Sequence, residues 1–191
     1  MKKIALLAAG VAVVSASPAF AQSGGDTDST SFDVTATVQD TCLIEDAGDV
    51  PFGDIELEDS NVPGPDSLTL NNGSQEGSTQ DIWVSCNYAA KITASSDNDG
   101  LFNSSGSSLV ANDPDDFTDT IHYRIELTSP DGNFPFLRLS TNLGGDSASV
   151  TAGGAFHDQA SMRVYIDADG TSKRPVAGSY SDTATIEVGP A

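Results

Sequence analysis

Val176-Ala177-Gly178-Ser179-Tyr180-Ser181-Asp182-Thr183-Ala184-Thr185-Ile186-Glu187-Val188 is the stretch on which the fold turns. From Thr183 it alternates, with Ala184, Ile186 and Val188 on one side and Thr183, Thr185 and Glu187 on the other. A period of two carried by β-branched residues predicts a half-buried strand. Gly178 and Ser179 supply the turn that feeds it. Tyr180 stands just ahead of the strand, where a tyrosine corner places a largely buried ring and ties its hydroxyl back to the chain. Only Gly189-Pro190-Ala191 follows, and proline cannot donate to a sheet ladder.

Working outward, the chain stops where an immunoglobulin-like sandwich still lacks one strand. A second alternating stretch, Phe32-Asp33-Val34-Thr35-Ala36-Thr37-Val38, sits at the other end behind the polar leader Gln22–Ser31. It has two readings. It is either the first strand of its own domain or a strand that fills the gap in another copy, and the expectation here is the second.

Between these ends short strands alternate with turns. Asp81–Cys86 sets Ile82, Val84 and Cys86 against Trp83 and Ser85. Thr120–Leu127 gathers Ile121, Tyr123, Ile125 and Leu127 on one face, and Ala160–Ala168 turns Met162, Val164 and Ile166 inward. Shorter strands are expected at Val50–Ile55 (edge-like, because of Pro51), Ser67–Leu70, Lys91–Ala94, Leu101–Phe102, Leu109–Val110 and Phe134–Leu139. Thr141–Ala155 reads as loop with at most one weak strand at Ala148–Val150. No helical stripe spans eleven residues. Strands recurring at intervals of about 8–20 residues predict an all-β sandwich.

Lys2 and Lys3 precede the apolar run Ile4–Val14, and Ala19-Phe20-Ala21 is a small-x-small cleavage site. Residues 1–21 therefore read as a signal peptide, a retained membrane anchor being the alternative. The remaining 170 residues carry six basic side chains against 28 acidic ones, a net charge of −22. That balance argues against nucleic acid, which requires a basic surface, and against anionic lipid. Cys42 and Cys86 are the two cysteines. In an exported chain an isolated pair is most simply one disulfide, with free thiols or a metal site as alternatives.

No nucleophile elbow, Walker loop, dinucleotide fingerprint or His-Glu-x-x-His motif is present, and His122 and His157 are the two histidines. Neither catalysis nor a cofactor is expected. Asp97-Asn98-Asp99-Gly100 and Asp167-Ala168-Asp169-Gly170 resemble calcium loops, but the twelfth positions hold Ser108 and Gly178 in place of glutamate. Asp-Gly is also a common hairpin turn. Turns are the first reading; Asp97, Asp99, Asp167 and Asp169 remain calcium candidates behind it.

The specific elements are Phe32–Cys42 (FDVTATVQDTC), Phe52-Gly53, Val84-Ser85-Cys86, Ile121–Ile125 (IHYRI), Met162–Tyr165 (MRVY) and Ala177–Ile186 (AGSYSDTATI). Together they resemble the spore coat protein U domain, the archaic or Csu-type chaperone–usher pilin family. The resemblance implies an incomplete immunoglobulin-like, pilin-type β-sandwich completed by donor-strand exchange. Residues 22–41 become an N-terminal extension with a donor strand at 32–38, and residues 42–191 the pilin-like domain. Phe32, Val34, Ala36 and Val38 would enter a groove bordered by Tyr180, Ala184, Ile186 and Val188. The implied protein is a secreted structural subunit of a surface pilus, fimbria or coat, exported through the periplasm to an extracellular fibre used in adhesion or biofilm. Its partners are other copies or related subunits, a periplasmic chaperone and an outer-membrane usher, with no membrane insertion after signal cleavage. The alternative function is an extracellular β-sandwich binding module whose acidic loops take calcium or a basic partner.

Overall fold

The computed structural model describes residues 28–58, 69–70, 76–143, 145–166 and 173–191. The expected signal peptide, Ser67 and Leu68 of an expected strand, and Asp167 and Asp169 lie outside the described residues. The chain divides between Thr37 and Val38. Residues 28–37 hold no helix or strand and are exposed throughout.

The unit from Val38 onward carries the described secondary structure. Its strands are β1 (Cys42–Ile44), β2 (Leu57–Glu58), β3 (Thr69–Leu70), β4 (Glu76–Cys86), β5 (Ala90–Ser96) and β6 (Leu101–Phe102). A one-turn helix, α1 (Ser107–Val110), precedes β7 (Phe117–Thr118), β8 (Thr120–Ile121), β9 (Tyr123–Thr128) and β10 (Leu137–Ser140). A short 3-10 turn at Thr141–Leu143 leads to β11 (Ser147–Thr151), β12 (Phe156–Ile166), β13 (Arg174–Pro175) and β14 (Ala184–Pro190).

Two antiparallel sheets face each other. One runs β1-β4-β12-β9-β10, the other β11-β5-β14. Alternation in each strand sends one set of side chains inward, as the pleat requires. Ile82 and Val84 from β4, Ile92 and Ala94 from β5, Ile125 and Leu127 from β9, and Leu137 and Leu139 from β10 meet in one core. Burying each Val, Leu or Ile stabilises by about 1.5–3 kcal/mol. The fold is an all-β sandwich. Cys42 and Cys86 lie directly opposite each other in the β1–β4 ladder and are joined by a disulfide, which settles the choice against free thiols and metal.

Several strands differ from the sequence reading, each for a local reason. No strand forms at Val50–Ile55; Val50 and Phe52 instead pack on the core. That packing needs Gly77, where a Cβ would lie 2.5 Å from Val50 and 2.6 Å from Phe52. Leu109 and Val110 belong to α1, and Leu109 is exposed. The long strand expected at Thr120–Leu127 breaks at His122, because Thr141 Oγ1 accepts the Tyr123 N–H at 3.0 Å and draws the chain toward β10. The strand expected from Phe134 begins at Leu137, although Phe134 is buried. The strand expected at Phe32–Val38 is not formed, since none of residues 28–41 has a ladder neighbour.

Candidate functional site

The two sheets end in β10 and β11 on one side of the sandwich and in β1 and β14 on the other, and the seam between β1 and β14 holds a cleft. β1 pairs with β4 alone, and β14 pairs with β5 alone among the described strands. β1 ends at Ile44, and the Glu45 N–H makes one more bond to Trp83 O at 2.9 Å before the chain turns away. Gln80 holds the departing loop, its Nε2 donating to Gly48 O at 3.0 Å and its Oε1 accepting the Gly48 N–H at 2.8 Å. Between this loop and β14 lies a cleft of about 490 Å³. Ile44, Val50 and Phe52 form one wall and Thr183–Ile186 the other. Its floor is the core itself: Ile82, Tyr123, Ile125, Met162 and Val164. A second cleft of about 820 Å³ shares Asp49, Val50, Phe52, Leu101 and Asp182 with the first and continues along residues 175–181.

The residues expected at a terminal groove strand fall as follows. Ala184 and Ile186 line the cleft wall, Ala184 exposed and Ile186 half-buried. Val188 packs on the core farther along β14 and is also half-buried. Their neighbours in β5, Ile92 and Ala94, are fully buried (0% exposed), so the shortfall belongs to the seam side of the sheet. Tyr180 lies in the second cleft. Its hydroxyl donates to Val176 O at 2.7 Å, the bond expected of a tyrosine corner. The ring is half-buried rather than largely buried, because it packs on the small Ile121–Ile166 cluster at the cleft wall and not in the main core. Burial pushes its pKa up. Gly178 (φ +148) approaches the Asn103 side chain so closely that a Cβ there would collide with Nδ2.

Sequence reasoning missed Asp182, which lines both clefts. Its Oδ2 accepts the Tyr123 and Ser96 hydroxyls, each at 2.6 Å. Its Oδ1 accepts the backbone N–H and side-chain amide of Asn98 at 3.1 and 3.0 Å, and the Thr183 N–H at 2.8 Å. One carboxylate thus ties the start of β14 to β9, to the end of β5 and to the turn after it. Burial first, then the bond to Asp182, push the Tyr123 hydroxyl well above the ordinary tyrosine pKa. The signal was present in Ser179-Tyr180-Ser181-Asp182-Thr183, but the acceptor role needs partners from distant strands.

At the other end, Phe32, Val34 and Val38 are 82, 84 and 80% exposed, and Ala36 is exposed as well. Asp97 and Asp99 sit in the turn between β5 and β6, Asp99 with φ +54. Among the described residues no three His, Cys, Asp or Glu side chains converge to hold a metal ion.

The model for the Spore Coat Protein U domain matches residues 28–187. The chain belongs to the Spore Coat Protein U domain family. The match begins in the leader, so Phe32–Val38 lies inside the family's extent. It is a family of pilus- and coat-type structural subunits of the cell surface. No curated protein and no solved structure matches the chain. Among the described residues no helix is long and apolar enough to cross a membrane.

Proposed function

We propose that this Spore Coat Protein U domain protein is a secreted subunit of a surface pilus, fimbria or coat that polymerises by donor-strand exchange. The observation that carries the reading is the pairing of two incomplete features. The seam leaves Ile44, Ile186 and Val188 half-buried, and the leader exposes Phe32, Val34, Ala36 and Val38 at every second residue. An extended segment laid along β14 satisfies both, because it covers the apolar floor and supplies ladder hydrogen bonds to an unpaired edge. The occupant is the leader of another copy or of a related subunit. The sandwich is then an incomplete immunoglobulin-like fold completed from outside.

An open seam is an aggregation hazard until its occupant arrives. A periplasmic chaperone that lends a strand covers it in transit, and an outer-membrane usher exchanges that strand for the next subunit's leader. Residues 1–21 provide the export signal. Cys42–Cys86 fits the same route, since disulfides form and persist in the oxidising periplasm.

The test is deletion of Gln22–Val38. With chaperone or an added donor peptide the shortened subunit should still fold, yet form no high-mass, detergent-resistant polymer when expressed with chaperone and usher. Normal polymerisation of the deletion would rule out exchange through this segment.

A further inference from the structure

The leader enters its own domain through a clamp. Asn87, the residue after β4, donates its backbone N–H to Thr41 O at 3.1 Å. Its side-chain Oδ1 accepts the Thr41 N–H at 2.8 Å, and its Nδ2 donates to Gln39 O at 2.8 Å. The next residue along, Cys42, is bonded to Cys86. Residues 39–42 are therefore held at three of four positions on the end of β4. Asn87 and Thr41 are exposed, where hydrogen bonds exchange against water and add little stability. What three bonds from one residue do fix is direction.

We infer that Asn87 is a positioning residue for assembly, pinning the connector so that the joint between successive subunits is short and stiff. The inference rests on the donor-strand reading. Val38 is the last apolar residue of the donor face and is 80% exposed on its own domain. The clamp begins at Gln39. When a second copy's groove holds Val38, a single peptide link separates the residue fixed by one subunit from the residue fixed by the other. A flexible connector of n residues wanders by about 5–6 Å × √n; here n is zero. Bending the joint is then confined to the few backbone dihedrals between Val38 and the Gln39 carbonyl, beyond which it must break the Asn87 bonds or lift Val38 from the groove, and the disulfide stops the strain from peeling β1 off β4.

Three fibres decide it: wild type, Asn87→Ala, and a chain with Gly-Ser-Gly inserted between Val38 and Gln39, each imaged by electron microscopy for persistence length. The insertion should soften the fibre several-fold, and Asn87→Ala at least twofold, with the disulfide and the fibre yield unchanged. Asn87→Ala fibres as stiff as wild type overturn the inference, and so does an insertion that leaves stiffness unaltered. Amide exchange on the unassembled subunit checks the clamp independently of fibre formation. The Thr41 N–H should be protected in wild type and lose that protection in Asn87→Ala while the core of β4 keeps its own; equal exchange in both proteins also overturns it. Failure of the donor-strand reading looks different, since fibres would then form normally without Gln22–Val38.

Discussion

Tyr123 and Asp182 show how much of the site rests on single atoms. The Tyr123 side chain is buried, and its hydroxyl donates a part-buried hydrogen bond to a carboxylate, the kind worth about 1.5–3 kcal/mol. Tyr123→Phe should lower the stability of the subunit by about that much at pH 7, read by urea denaturation. The difference should shrink in alkali. The folded tyrosine keeps its proton above the unfolded value of about 10, while the unfolded chain sheds it. Stability from this group is thus full below pH 10 and falls as pH rises beyond. The phenylalanine variant lacks that decline, so an equal gap at pH 7 and pH 11 would show that the hydroxyl is not held as described. None of this was legible in the sequence. The partners of Asp182 stand 59 residues away at Tyr123 and 86 away at Ser96, and no local pattern announces a bond between them. Asn87 was hidden for the same reason, its partners lying 46 and 48 residues back.

Strands were easier to read, because alternation is a local signal. The inward faces of β4, β9 and β12 follow the sequence period, down to Cys86 sharing a face with Ile82 and Val84. The lengths did not follow it. β4 starts at Glu76 and β12 at Phe156, where small or polar residues become strand only through the β4–β12 ladder, Ser78 opposite Val164, Thr79 opposite Arg163 and Asp158 opposite Val84. Asp158 even points inward, buried and accepting a hydrogen bond from Ser129, a placement that no hydrophobic pattern marks. The segment at residues 32–38 is the converse case: its alternation is clear, but a strand needs a ladder partner and among the described residues it has none. If its apolar face serves a neighbour, Val34→Asp places an unpaired carboxylate in an apolar cleft, which is strongly disfavoured. Asp33→Ser changes the opposite face. Expressed with chaperone and usher, Val34→Asp should lose most of its detergent-resistant polymer and Asp33→Ser almost none. The reverse ranking would mean that the donor face is misassigned.

At the scale of the whole molecule the dominant fact is charge. The full chain has a formal net charge of −20, which becomes −22 if the proposed signal peptide is removed with Lys2 and Lys3. The proposed assembly has to bring such chains together, and the approaching surfaces share the sign. Glu45 and Asp46 line the first cleft, Asp54 the second, and Asp49 and Asp182 both. The incoming leader carries Asp26, Asp28 and Asp33, the last two within the segment Asp28–Val38. Charges on exposed surfaces repel over about 30 Å at 0.01 M salt and over about 3 Å at 1 M. Like-signed partners associate slowly at low salt for this reason, and screening relieves it. Uptake of a fluorescent peptide spanning Asp28–Val38 by the chaperone-held subunit should therefore accelerate at least several-fold between those two conditions. The same peptide with Asp28→Asn and Asp33→Asn should begin faster and respond much less to salt. That comparison separates repulsion between leader and cleft from any effect of salt on chaperone release, which acts on both peptides alike. Equal salt dependence for the two peptides would place the barrier in chaperone release. Uptake that slows as salt rises would mean that the leader meets a basic surface first, a role for which the six cationic residues beyond residue 21 would then have to be searched.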